Sequence, residues 1–374
     1  MHKTGTTSIQ EGLVGYKKDN HKYANLWVSS NHSFSFWTAF QPNEVHPHFQ
    51  STISEENTIK KIKLEHLEMI RNNLEDAKKK GMNIIFSGED ISNIAIDGIK
   101  EIKNLFNQYT SDIQIIAYIR PSESWMTSAL QENIYQGNIQ GCFPPEQPLY
   151  LIKFKKFIEI FGSDNCTFRL FNKKELYKSD SFADFCKLID IRKPFFSSKK
   201  NISFSLESIK CIYVLNSIYV PAMGIHFLTH ARAQFINFVV NALPGKFFLP
   251  DGWSKKYRDL SDTKWMEDIT GFELDIKYDE KNNDDISVES YLTNIGKAEV
   301  TVLKKFLELN NRNIEIDTTK ELIFNVFLTF LDPALDIKDF NAERYIKLNP
   351  DLKDEDIDPY YHFLIYGIEE RREY

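Results

Sequence analysis

The sequence predicts an α/β fold: a parallel sheet flanked by helices, followed by a small α-helical extension at the C-terminal end. Three observations predict it. Over the first two-thirds of the 374 residues, short apolar runs alternate with amphipathic stretches, the pattern of βαβ units. The strongest runs lack polar alternation, as strands covered on both faces do. Beyond Phe272 a polar run at 278–285 (YDEKNNDD) breaks the pattern, and helical periodicity alone resumes. This divides the chain into a main domain at 1–275, a linker and helical extension at 276–335, and a small helical module at 336–374.

In chain order, the first expected helix starts near Thr6–Ser8 and buries Ile9, Leu13 and Tyr16. A long amphipathic helix over 59–79 sets Ile62, His66, Met69 and Ile70 on one face. Buried strands are expected at 83–86 (NIIF), 113–119 (IQIIAYI) and 167–171 (TFRLF), with helices at 150–161 and 205–218. Residues 287–331 read as two helices and the tail as two short ones, 339–348 and 357–366, split by Asn349-Pro350.

Composition narrows the function. A net charge of −7 argues against a general nucleic-acid binder, and 42% hydrophobic residues suffice for a sizeable core. Cys142, Cys166, Cys186 and Cys211 form no Cys-x-x-Cys pair, so neither a zinc site nor a disulfide scaffold is expected. No apolar stretch has the length to span a bilayer, and a cytoplasmic location is expected.

The most informative segment is His2-Lys3-Thr4-Gly5-Thr6-Thr7-Ser8-Ile9-Gln10. A loop ending in hydroxyl residues at a helix start offers backbone N–H groups, the positive end of a helix dipole and side-chain donors to an anion, and Lys3 adds a point charge. Its lysine precedes the glycine and the Thr/Ser run, the reverse of the nucleoside triphosphatase loop. A second segment is a strand running into Arg120-Pro121, with Ser128 eight positions after the arginine. A guanidinium and a hydroxyl there suit a phosphomonoester.

The string HKTGTTSIQ resembles the 5′-phosphosulfate loop of sulfotransferases that use 3′-phosphoadenosine 5′-phosphosulfate (PAPS), in particular bacterial carbohydrate enzymes and the heparan sulfate enzymes. The resemblance implies a P-loop-like fold. It also implies that Lys3 contacts the bridging oxygen between phosphate and sulfate, that Gly5, Thr6 and Thr7 hold the 5′-phosphate with help from Thr4 and Ser8, and that Arg120 and Ser128 hold the 3′-phosphate. Looser matches are Asn31-His32-Ser33, Ser87-Gly88-Glu89, residues 161–165 with Arg169, and residues 201–205. Lys199 and Lys200 read as a solvated pair.

Sulfuryl transfer needs a base at the acceptor hydroxyl and no metal. Glu89, after the strand at 83–86, is the preferred base and His32 its rival. His46 and His48 fall in a loop without a third ligand, and His226 and His230 read as packing. The tail, with Phe340, Tyr345, Asn349-Pro350-Asp351, Asp358-Pro359, His362 and Gly367, resembles a module appended to bacterial glycosyltransferases and glycan sulfotransferases, which implies a glycan acceptor. The competing reading is a catalytically silent protein that keeps the cofactor fold. Members of the resembled family carry an apolar strand immediately before the loop, whereas only Met1 and His2 precede Lys3. The first strand is therefore expected to be missing, with weak cofactor binding and a low melting temperature.

Overall fold

The computed structural model describes all residues except 27–28, 42–55, 195–203, 220–225, 275–286, 313–315, 317, 336, 338, 354 and 356. The fold is mixed α/β and mostly helical. Helix α1 (Thr6–Leu13) leads to strands β1 (Lys17–Lys18) and β2 (His21–Tyr23), and α2 (Ser33–Phe40) and α3 (Glu56–Lys80) precede β3 (Asn83–Ile85). Helix α4 (Ile96–Phe106) comes before β4 (Ile115–Ile119), and α5 (Ser122–Gln136) and α6 (Tyr150–Phe161) before β5 (Cys166–Leu170). The remainder is helical: α7 (Ser181–Leu188), α8 (Leu206–Asn216), α9 (His226–Ala242), α10 (Leu260–Thr270), α11 (Val288–Thr293), α12 (Lys297–Leu309), α13 (Thr319–Leu328), α14 (Ala342–Leu348) and α15 (Pro359–His362), continued by a π turn at Phe363–Gly367.

The chain forms two compact units, each drawn from three stretches of sequence. The first comprises Met1–Trp125, Gln147–Asn201 and Asp259–Ile276, and the second Met126–Glu146, Ile202–Arg258 and Lys277–Tyr374.

Among the described residues the five strands belong to the first unit, in two sheets. In one, β1 pairs antiparallel with β2 and β2 parallel with β3, Lys22 opposite Ile84. In the other, β4 pairs parallel with β5, Ala117 opposite Phe168. The three strands expected from sequence form within one or two residues of their expected ends. They differ in burial, because β3 and β5 are only half covered, with Asn83 exposed. Two cores hold the unit together by burying apolar side chains, the main favourable term in folding. One gathers Phe36, Phe40, Ile70, Ile99 and Phe157 from α2, α3, α4 and α6, with Leu26 from the segment after β2; the other gathers Leu13, Tyr118, Phe182 and Cys186 from α1, β4 and α7. Helix α7 begins where Asp180 accepts the N–H groups of Phe182 and Ala183, a side-chain cap that the Asp before an apolar run announces.

The second unit is helical. Helix α8, opened by a capping box of Ser205 and Ser208, is buried nearly all round. Residues 287–331 make three helices where two were expected, because Asn294 and Gly296 interrupt the apolar spacing. In the tail, the Asn325 amide bonds both the N–H and the C=O of Phe340, and Phe324, Phe340, Tyr345, Tyr360 and Phe363 pack ring against ring. Helix α13 and the last forty residues therefore share one core, across the division expected at 335.

Candidate anion-binding site

The loop before α1 is built around Gly5. Its backbone is left-handed, φ 74° and ψ 16°, and a Cβ there would sit 2.4 Å from Ser181 Oγ and 3.2 Å from Phe171 Cε2. Both conformation and space demand glycine. Among the described residues no side chain caps α1; the Ser8 N–H bonds the Gly5 carbonyl at 3.1 Å, and the positive end of the helix dipole lies at Thr6 and Thr7. Lys3 also takes a positive φ, 62°. Thr4 turns inward: it is 1% exposed, and its hydroxyl donates to the Met1 carbonyl, the same oxygen that Thr6 reaches at 3.2 Å. Thr4 thus shapes the loop from within. Thr7 is exposed, and Lys3, Thr6 and Ser8 are half-buried.

Arg120 follows the last residue of β4 and comes to this loop. Its Nη1 donates to the Lys3 carbonyl at 2.9 Å, its Nε to Ser124 Oγ at 2.8 Å, and the guanidinium lies 5.8 Å from the Phe171 ring. Burial pushes its pKa down to about 10, and no carboxylate pairs with it among the described residues. The hydroxyl of Ser122, buried two positions on, makes no hydrogen bond among the described residues. Desolvating a cation without a counter-charge is costly, and a bound anion offsets that cost. Ser128, expected as the partner hydroxyl, lies on α5 in the second unit and is half-buried; Ser124, one turn nearer along the same helix, is the serine that Arg120 bonds.

Glu89 opens a short 3-10 helix (Glu89–Asn93) directly after β3. Gln10 Nε2 donates to its Oε2 at 2.9 Å, His2 Nδ1 lies 4.0 Å from its Oε1, and His2 Nε2 lies 2.8 Å from Asp90 Oδ1. The candidate base therefore stands against α1 and the loop, with its side chain 17% exposed. The two weak sequence matches nearby are laced together. His32 N–H donates to the Ser87 carbonyl and Ser87 N–H to His32 Nδ1, while Ser33 Oγ accepts from the Asp90 N–H. Gly88 allows this closeness, since a Cβ there would meet the Ser33 nitrogen at 2.6 Å.

His32 itself is a core residue. It is 1% exposed, stacks on Tyr23 at 4.6 Å, and burial pushes its pKa down to about 4, so the ring is neutral with its proton on Nε2. Arg169 is held by Asp184 at 2.7 Å, in a buried network with Tyr118. His230 is exposed and bonds Gln234; His226 stands four residues before it on α9. His46, His48, Lys199 and Lys200 lie outside the described residues.

No family model, curated protein or solved structure matches the chain. Its function is read from the site alone. Among the described residues, no group of three His, Cys, Asp or Glu is placed to hold a metal, and no helix is long and apolar enough to cross a membrane. The cysteines are free, and burial raises the thiol pKa of all four, to about 12 for Cys142 and Cys211. Sequence reasoning assigned no role at the site to Gln10, Ser124, Phe171 or Ser181. Only Ser124 left a signal, one helical turn after Arg120.

Proposed function

We propose that this site transfers a sulfuryl group from PAPS to a hydroxyl of a carbohydrate, on a P-loop-like first unit in the cytoplasm. The observation that carries the reading is the bond from Arg120 Nη1 to the Lys3 carbonyl. It joins the two segments that sequence singled out as phosphate contacts, 117 positions apart. A start of α1 without a side-chain cap and a half-buried guanidinium without a carboxylate, both among the described residues, fit a ligand with two anionic groups. In this reading Gly5, Thr6, Thr7 and Ser8 hold the 5′-phosphate and Arg120 the 3′-phosphate. The donor supplies an activated sulfuryl group. Glu89 accepts the proton of the acceptor hydroxyl as that oxygen bonds sulfur. The sulfur–oxygen bond to phosphate breaks, its electron pair leaves on the phosphate oxygen, and Lys3 with the α1 N-terminus stabilises the new charge.

Calorimetric titration with PAP (3′-phosphoadenosine 5′-phosphate), PAPS and ATP tests the donor site, and transfer from sulfur-labelled PAPS to glycans of the source organism tests the reaction. Saturable ATP binding without PAP or PAPS binding overturns the assignment.

A further inference from the structure

A second concave surface of the first unit lies at the other end of α1, beyond Leu13. It is a groove of about 870 Å³, a volume inside the range of about 300–1,000 Å³ usual for small-molecule sites. Two stretches of chain wall it: residues 15–19, which turn from α1 into β1, and residues 192–194, which follow α7. One hydrogen bond ties them across 173 positions, from the Arg192 N–H to Asp19 Oδ2 at 3.1 Å. Gly15, at φ 71°, faces open space, since a Cβ there would meet no described atom within 4 Å.

The groove is cationic in a chain whose net charge is −7. Lys17, Lys18, Arg192 and Lys193 line it and are exposed. Of these, Lys193 is held by Asp180, whereas Lys17, Lys18 and Arg192 form no ion pair among the described residues. Asp19, the carboxylate of the lining, is engaged by neutral donors, the Tyr16 hydroxyl at 2.6 Å and the Arg192 N–H. Nor does Asp76 serve Lys17. Lys17 stands opposite Lys22 in the sheet, on the same face, but Asp76 is taken by Lys22 at 2.6 Å and by Lys80. Lys80 also pushes the Lys17 pKa down, first through a side-chain hydrogen bond and then through like charge. Helix α1 turns its negative end this way, so side chains alone set the sign of the groove. Like charges gathered in a cleft attract a multiply charged anion, which relieves their repulsion.

We propose that this groove binds a diphosphate ester, a ligand separate from the one held at the loop before α1. Each wall carries two consecutive cations, Lys17-Lys18 and Arg192-Lys193, an arrangement suited to two linked phosphate groups: the guanidinium takes phosphate oxygens in a forked contact and the lysines add point charges. The volume leaves room for the group that the diphosphate carries. The groove is independent of what the loop binds.

The test titrates the full chain by calorimetry, at low ionic strength, with inorganic phosphate, inorganic pyrophosphate, ADP and geranyl diphosphate. The double variant Lys18→Gln/Arg192→Gln, its two single variants and Arg120→Ala are titrated beside it, and PAP is titrated against each. Both substituted groove side chains are exposed, so the thermal midpoint should hold; where the double variant melts lower, the single variants carry the comparison. The expected result is pyrophosphate bound about tenfold or more tighter than phosphate, with that affinity reduced about tenfold or more in the double variant and kept in Arg120→Ala. PAP should show the reverse pattern. Tighter binding of ADP than of pyrophosphate assigns the groove to a soluble nucleotide ester, and tighter binding of geranyl diphosphate to a lipid one. Equal affinity for phosphate and pyrophosphate overturns the proposal, as does pyrophosphate binding that survives the double variant. A chain that binds no PAP yet loses pyrophosphate with the groove cations would refute the donor reading of the loop and leave the groove assigned.

Discussion

Arg120 and Glu89 both reach the loop and α1 from just beyond the C-terminal ends of their strands, β4 and β3, and their substitution should separate binding from turnover. Removing a charge-assisted donor from a buried anion site costs about 1.5–3 kcal/mol. Arg120→Ala is therefore expected to weaken PAP binding by roughly ten- to a hundredfold, and Ser128→Ala by less; equal losses in calorimetry would count against the arginine. Glu89→Gln keeps the bond-accepting oxygen facing Gln10, so PAP binding should hold while turnover falls about a hundredfold or more. Retained turnover in that variant would remove Glu89 from the reaction. His32 is the opposite case. Its folded pKa, about 4, lies below its unfolded value, so the unfolded chain takes up the proton first as pH falls. Stability should be full above about pH 6.5 and decline toward pH 4, by on the order of 3 kcal/mol. His32→Asn offers an oxygen to the Ser87 N–H without titrating, so its urea midpoint should fall less between pH 7 and 5 than that of the parent. At this scale Lys3, Gly5 and Arg120 were legible because their chemistry sits in short strings. Gln10 and Ser181 were not, since neighbours brought together by folding leave no mark on spacing.

Among elements, those with a full apolar face were legible. Helix α6 runs over the residues its periodicity marks, whereas β1 and β2, of two and three residues, are too short to show any period. What starts α6 could not be read at all. Leu149, its N-cap, is left-handed and offers no side-chain acceptor; Asp262 on α10 supplies one instead, taking the N–H groups of Tyr150 at 2.8 Å and Leu151 at 2.7 Å. A carboxylate 111 positions downstream does the work of a local cap. Asp262→Ala strands two N–H donors and should lower stability by about 2–3 kcal/mol, with Asp262→Asn recovering part of it. Denaturant titration of both variants measures the difference. An unchanged midpoint for Asp262→Ala would mean that water replaces the carboxylate.

At the scale of the whole molecule, the sequence marked a break near residue 275, whereas each compact unit is drawn from three stretches of chain. It gave no sign that 126–146 and 202–258 belong with the C-terminal helices, because periodicity says that a helix buries a face and not against what. The membership of Asp259–Ile276 in the first unit bears on how the protein is made. A ribosome that has released everything up to Asn201 has delivered both sheets but not Asp262. Residues 202–258 must still emerge, several seconds of elongation at about 5–20 residues per second. Through that interval the nascent chain carries an uncapped α6, a species for chaperones to hold. Stalled nascent chains should accordingly stay protease-sensitive around Tyr150 until residue 276 has cleared the exit tunnel, and become resistant in one step once it has.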